Sequence, residues 1–169
     1  MDRRAGVEAD KLGVMPKRDR TRRVQQAKSG HVVFLSHSSK DQWIARQMAA
    51  LIERQFGESV VRVFLDEKNI RGGDSIPESI RVNIKNCSEF VVLLSKNSLG
   101  STWVNLEIGG AYFLGKPIIA ILDKISPSEM PDLLIPYKAI DLNQFDRYLA
   151  ELAARVKGQK RGKRYSKQG

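Results

Sequence analysis

The sequence FVVLLSKNSLGSTWVNLEIGGAYFLG, residues 90–115, predicts a strand, a loop and a helix in direct succession. The apolar run at 90–94 has the length of a buried strand, and the polar and small residues after it are typical of a loop. The helix that follows carries Trp103 and Glu107 four positions apart, and therefore on one face. This pair can bind a flat cationic ring, but the helix dipole also favours an early acid, and a helix tryptophan is commonly a core residue. The spacing alone leaves both interpretations open.

Strands and helices alternate through the rest of the chain. Further runs of strand length lie at 31–36, 60–65 and 117–122, and a less hydrophobic one lies at 137–141. Helical periodicity covers 41–56 and 143–156, and Ser75, Pro77 and Glu78 are typical of a helix start. This alternation predicts an α/β fold: a flavodoxin-like doubly wound five-stranded parallel sheet of order 2-1-3-4-5, with helices on both faces.

The composition is that of one soluble domain with tails. A chain of 169 residues, 41% of them hydrophobic, can bury one ordinary core. It contains no run of about 18 apolar residues, which a membrane-spanning helix requires, and its charged N-terminus lacks the apolar segment of a secretory signal. Cys87 is the single cysteine, so an internal disulfide and a multi-cysteine metal site are excluded, and no metal site is predicted. We expect a cytoplasmic protein.

Positive charge is concentrated at the two ends of the chain. The formal net charge is +10, yet residues 31–154 carry 13 basic and 15 acidic side chains. We therefore expect a basic, mostly disordered N-terminal extension at 1–30, a folded domain at 31–156 and a basic disordered tail at 157–169. Such tails can bind nucleic acid or an acidic surface, although solvated segments of this kind are more common.

The predicted sheet order brings two strand ends together. In such a sheet, ligands bind outside the carboxyl ends of the strands where the order reverses, here between the first and third strands. Those ends are Ser36-His37-Ser38 and Ser95-Lys96-Asn97, and Glu107 lies shortly beyond the second. The topology therefore favours a chemical role for the face that carries Trp103 and Glu107. A phosphoacceptor receiver has the same fold but requires acids at these strand ends, so that class is excluded.

Three motifs follow one another along the predicted domain: FLSHSSKD at 34–41, VFLD at 63–66 with IRGGD at 70–74, and STWVNLE at 101–107. Together they resemble the Toll/interleukin-1 receptor (TIR) domain family over residues 31–156. They are similar, in turn, to the family's box 1 in its bacterial form, to its strand B and BB loop, and to the S-x-W-x-x-x-E pattern of its enzymatic members. The BB-loop proline that receptor-type members often carry is missing here.

The resemblance implies an enzyme that cleaves the bond between nicotinamide and ribose in NAD⁺, with Glu107 as the catalytic carboxylate. The products would be nicotinamide with ADP-ribose or a cyclic ADP-ribose signal. NAD⁺ would be the substrate, so no cofactor is expected, and a role in anti-phage defence is implied. The residues expected to bind the substrate are Phe34, Ser36, His37, Ser38, Asp66, Arg71 and Trp103.

The chemistry of this bond suits a single carboxylate. Departure of nicotinamide neutralises the charge on its ring, so no general acid is required, and positive charge develops on the ribose as in glycoside hydrolysis. A glutamate, which is ordinarily ionised at neutral pH, can stabilise that charge and accept hydrogen bonds from ribose hydroxyls. Trp103 can pack on the ribose or on the cationic ring.

The resemblance also implies self-association through TIR–TIR contacts that include the BB loop, with weak activity as a monomer. A trigger or an effector on a separate protein is expected. Two alternatives stay open: a non-catalytic module that binds other TIR domains, and basic tails that bind nucleic acid. The sequence does not decide between hydrolysis and cyclisation of the substrate.

Overall fold

A parallel sheet of five strands forms the centre of the protein. The computed structural model describes residues 30–65 and 78–165. The strands are β1 (His31–Ser36), β2 (Val61–Leu65), β3 (Glu89–Leu94), β4 (Ile118–Leu122) and β5 (Ile140–Asp141). They pair in the order β2-β1-β3-β4-β5, and all four pairings are parallel. The predicted fold class and strand order are confirmed.

Helices cover both faces of this sheet. They are α1 (Gln42–Phe56), α2 (Glu78–Asn86), α3 (Lys96–Leu99), α4 (Thr102–Phe113) and α5 (Phe145–Tyr165). Because side chains alternate along a strand, Phe90, Val92 and Leu94 of β3 pack in the core beneath α2 and α4, whereas Val91 and Leu93 pack beneath α1 and α5. All six residues of β3 are buried, which suits a strand at the middle of the sheet.

Two helix boundaries follow from local hydrogen bonds. Ser38 begins a short 3₁₀ turn, Ser39–Asp41, by accepting from the backbone N–H of Lys40, and α1 starts directly after it. Gly57 ends α1 with a φ of 75°, a conformation that glycine adopts without strain. Ser38 thus caps the turn before α1 rather than α1 itself.

The segment after β3 was predicted to be a loop, and the structure places the short helix α3 there. Ser95 and Ser98 form a reciprocal capping box: Ser95 N–H donates to Ser98 Oγ over 2.7 Å, and Ser98 N–H donates to Ser95 Oγ over 3.3 Å. Serine side chains that satisfy the first backbone amides in this way favour a helical turn over an open loop. The polar composition of this segment predicted a loop, but the Ser-x-x-Ser spacing favours a capped helical turn, so the prediction was wrong.

The fifth strand is shorter than predicted. Only Ile140 and Asp141 pair with β4, opposite Ile121 and Leu122. Residues 137–139 lie outside the strand, and the N–H of Tyr137 donates to the carbonyl of Leu134 in a turn. The N–H of Tyr137 is therefore engaged in the turn and does not pair with β4.

α5 continues to Tyr165, past residue 157, where the basic disordered tail was expected to begin. Lysine, arginine and glutamine are good helix formers, and each added residue needs no new nucleation. Cations near the end of a helix also interact favourably with its dipole. The expectations for residues 1–29 and for the loop and helix start at 66–77 fall outside the described residues.

Within residues 30–65 and 78–165, no helix combines the length and the apolar character that crossing a bilayer requires.

Candidate active site

A cavity of about 420 Å³ lies between α2 and α4. Its described lining is mainly apolar, with one acidic and one basic side chain. The lining residues are Ile80, Arg81, Ile84, Trp103, Asn105, Leu106, Glu107, Gly109, Gly110, Phe113 and Leu114. An apolar cleft with a few polar groups is typical of small-molecule sites.

Glu107 is a buried carboxylate in the wall of this cavity. Only 2% of its surface is exposed. It lies in the second turn of α4, which Ser101 caps by accepting from the N–H of Val104. The hydroxyl of Ser36, at the end of β1, donates a hydrogen bond to its Oε2. A carboxylate is therefore held at the carboxyl end of β1 and borders an apolar cavity.

Trp103 lines the same cavity one helical turn before Glu107. Its side chain is half-buried and packs against the core under α2 and α4. The prediction that both residues lie on one face of the helix is confirmed. The two interpretations of this tryptophan are also compatible, since one side of the ring packs on the core and the residue borders the cavity.

The four residues predicted from the end of β1 are buried, and none lines the cavity. Phe34 has no exposed surface and lies between Phe64 and Phe90, with ring centroids 5.2 and 5.3 Å away. Its inward position in the strand makes it a core residue, and its role in substrate binding stays a prediction. Ser36 is also fully buried and contacts Glu107 instead of the cavity.

His37 and Ser38 are almost as enclosed. His37 is 2% exposed, and its Nδ1 lies 3.4 Å from the carbonyl oxygen of Leu35. Ser38 is 6% exposed and caps the turn that follows. Their roles in substrate binding stay predictions. Asp66 and Arg71 lie outside the described residues, and their roles stay predictions as well.

Sequence reasoning missed the role of Asp41. Its Oδ2 accepts from Ser95 Oγ and its Oδ1 from Asn97 Nδ2, both over 2.6 Å. These bonds join the turn after β1 to the start of α3 after β3. The sequence pattern placed Asp41 only at the start of a helix. The predicted proximity of the ends of the first and third strands was the signal that could have indicated this contact.

The wall formed by α2 was also missed. Ile80, Arg81 and Ile84 face α4 across the cavity, and Arg81 is the basic residue of its described lining. The sequence around Arg81 is like that of any exposed helix arginine. Its place in the cavity wall depends on the packing of α4 opposite α2, which the sequence does not show.

A second, smaller hollow of about 300 Å³ lies at the carboxyl ends of β3 and β4. It is lined by Ser95, Lys96, Asn97, Asp123 and Lys124. The sequence placed the site at the carboxyl ends of β1 and β3. The structure holds Glu107 at the end of β1 and opens the face with Trp103 and Glu107 onto the space between α2 and α4.

Comparison with known proteins identifies the family to which this fold belongs. The family model of the TIR domain matches residues 33–155, which is most of the chain. A curated relative, the probable 2′ cyclic ADP-D-ribose synthase of Brachypodium distachyon, is 31% identical over 113 residues, which are 67% of this chain and 48% of the relative. The chain thus spans about half the length of the curated relative that it matches.

Solved structures share the fold. The TIR domain of the Toll-related receptor TRR-2 from Hydra magnipapillata superposes with a TM-score of 0.57 at 19% identity, covering 74% of this chain and 97% of that one. A metazoan TIR-STING receptor from C. gigas superposes with a TM-score of 0.56 at 18% identity, covering 70% of this chain and 38% of that one. With the matched family and the observed strand order, the chain belongs to the TIR domain family.

Proposed function

We propose that this protein is an NAD⁺ nucleosidase that breaks the bond between nicotinamide and ribose, with Glu107 as its catalytic carboxylate. The observation that carries the proposal is the placement of Glu107: it is buried, borders the apolar cavity beside Trp103, and accepts a hydrogen bond from Ser36. A carboxylate enclosed in this way acts on a cation more strongly than one in water.

The reaction needs little from the protein beyond this anion. The electron pair of the breaking bond moves onto the nicotinamide nitrogen, which neutralises the ring and leaves positive charge on the ribose carbon. Glu107 stabilises that charge as it develops. Addition of water then gives ADP-ribose and releases a proton. Addition of a nucleophile from the same molecule gives a cyclic product and also releases a proton.

The rest of the cavity suits the remaining parts of NAD⁺. The apolar walls from Ile80, Ile84 and Leu106 can accept a flat heteroaromatic ring, and Trp103 can stack on it. Arg81 supplies a guanidinium that can bind the pyrophosphate through paired hydrogen bonds. The 31% identity to a protein named a probable 2′ cyclic ADP-D-ribose synthase supports this substrate and makes a cyclic product one to look for. A defence role in the cytoplasm is part of the proposal.

The test measures nicotinamide release by the purified full chain incubated with NAD⁺, with the second product identified by mass spectrometry. We expect Glu107→Gln and Glu107→Ala to lower kcat by about 100-fold or more, since they remove the stabilising charge. Glu151→Gln is the matched control, because Glu151 is a partly exposed carboxylate on α5 that pairs with Arg147 and does not line the cavity. It should keep full activity.

The competing function is a non-catalytic module that binds other TIR domains. It would be supported if the unmodified chain associates with itself but releases no nicotinamide at any protein concentration. Turnover that persists at the full rate in Glu107→Gln would contradict the assignment of the carboxylate while leaving NAD⁺ cleavage itself in place.

A further inference from the structure

Ser36 occupies the most constrained part of the sheet. It is the last residue of β1, which lies between β2 and β3, and it stands opposite Val92 on the final rung of the β1–β3 ladder. None of its surface is exposed. A side chain enclosed in this way has no surface with which to touch a substrate, so its hydroxyl acts on a neighbouring group of the protein.

That neighbour is Glu107, 71 residues away in sequence. The last torsion of a glutamate is broad, so an unrestrained carboxylate samples many orientations. The hydroxyl of Ser36 donates to Oε2 and thereby restrains the rotation of the carboxylate. Because the donor comes from a central strand, the restraint is rigid.

We propose that Ser36 is a positioning residue, which orients the Glu107 carboxylate toward the ribose carbon without touching the substrate. The inference rests on the proposed cleavage of NAD⁺. An anion that is already oriented needs no reorganisation as positive charge develops opposite it. Misplacement of a reacting group by about 1 Å can cost about 100-fold in rate.

This role differs measurably from the direct substrate contact that the strand-end sequence suggested. Loss of a contact made equally to substrate and transition state raises KM and leaves kcat unchanged. Loss of a positioning contact lowers kcat, while KM changes little because the substrate's own contacts remain.

The experiment compares steady-state nicotinamide release from NAD⁺ by the full chain and its Ser36→Ala variant. We expect kcat to fall about 10- to 100-fold with KM nearly unchanged. Ser36→Thr, which keeps a hydroxyl, should recover part of the lost kcat. Ser88→Ala is the matched control, since Ser88 Oγ accepts from the N–H of Val32 near the other end of β1. It should leave both constants unchanged.

A second measurement tests whether the two residues act as a unit. In the Glu107→Gln background, Ser36→Ala should cause no further loss of kcat, because the group that it orients is already altered. If Ser36→Ala does not fold, kcat and KM are measured for Ser36→Cys in its place. Cysteine is close in size to serine, and its S–H is only a weak donor.

The outcomes separate the two proposals. An active protein in which Ser36→Ala raises KM at constant kcat, or changes neither, overturns the positioning role and leaves the proposed function standing. Full additivity of the two losses overturns the positioning role as well. A wild-type chain that releases no nicotinamide overturns the proposed function, and the positioning role with it.

Discussion

Two buried glutamates lie at opposite ends of the strands and have different surroundings. Glu89, at the start of β3, is 1% exposed and contacts His31, Tyr148 and Arg155. Burial opposes its ionisation, but the hydrogen bonds from these three groups outweigh it and hold the pKa of Glu89 below its usual value. The same burial, together with the Glu89 charge, raises the pKa of the Tyr148 hydroxyl well above its ordinary value.

These surroundings favour different roles for the two acids. Glu89 forms an ion pair with Arg155, with Nε 2.8 Å from Oε2, and ties α5 to the sheet. Glu107 borders a cavity and accepts from a neutral hydroxyl. A carboxylate paired with a cation stabilises the fold, whereas one beside a cavity can act on a bound cation.

Replacing Glu89 by glutamine should therefore destabilise the protein without altering the cavity. We expect the free energy of unfolding at pH 7 to fall by about 3 kcal/mol, because the change removes the buried carboxylate that Arg155 contacts at 2.8 Å and leaves Glu151, at 3.8 Å, beside its guanidinium. Urea denaturation followed by circular dichroism measures it. Glu58→Gln, at an exposed carboxylate after α1, should change it by less than about 0.5 kcal/mol.

The ionisation of Glu89 should also make the stability of the protein depend on pH. Since the pKa of Glu89 is lower in the folded state, its charge contributes stability above the unfolded value of about 4.3, and that contribution is lost as the pH falls through the folded value. The wild-type chain should lose more stability than Glu89→Gln between pH 7 and pH values below about 4. Parallel curves for the two proteins would contradict this account.

At the scale of the element, α4 is apolar on its buried and exposed sides alike. Val104, Ile108 and Ala111 pack in the core, whereas Leu106 is 45% exposed and Phe113 is 87% exposed. A helix with this pattern does not show a single apolar stripe. Leu106 and Phe113 border the cavity, so the composition of α4 reflects both core packing and the candidate site.

Gly110 contributes open space to the cavity because it has no side chain. A Cβ added there would lie 3.8 Å from Cδ1 of Ile84 on α2, an ordinary contact distance. We expect Gly110→Ala to raise the free energy of unfolding by up to about 1 kcal/mol, since alanine suits a helix interior better. The methyl group narrows the cavity, so KM for NAD⁺ should rise.

The matched control for this prediction is Gly158→Ala. Gly158 lies within α5, and an added Cβ there meets no atom within 4 Å. It should bring a similar gain in stability with KM unchanged. Denaturation curves measure the stability of both variants, and steady-state kinetics measure their KM for NAD⁺. An unaltered KM in Gly110→Ala would show that substrate does not occupy this part of the cavity.

At the scale of the whole molecule, the exposed apolar rim of the cavity suits contact with a second copy of the chain. Leu106, Phe113 and Leu114 are each more than 40% exposed and border the same opening. Covering such a rim removes apolar surface from water and dries the site, which strengthens the action of the carboxylate. Self-association is therefore expected to promote activity.

We expect nicotinamide release per protomer to rise with total protein concentration. Size-exclusion chromatography with light scattering, run at the same concentrations, should show the larger species appearing over the same range. An inert protein added at equal mass controls for loss on surfaces. Constant release per protomer across that range would show that a single copy carries the complete site.

Much of the fold was predictable because it depends on local patterns. The buried runs of β1, β3 and β4 and the alternation with helices led to the sheet order, and the four-residue spacing put Trp103 and Glu107 on one face. The errors at α3 and β5 are errors of boundary. At α3, capping bonds outweighed composition, and β5 is shorter than predicted.

By itself, the sequence determined the order of the strands and the face of α4 that carries Trp103 and Glu107, because both follow from periodicity and chain connectivity. Only the tertiary structure showed that Ser36 is buried against Glu107, that α2 supplies the opposite wall of the cavity, and that Asp41 joins two strand ends. These contacts join residues that are distant in the chain, so they depend on how helices pack on the sheet, which local periodicity does not encode.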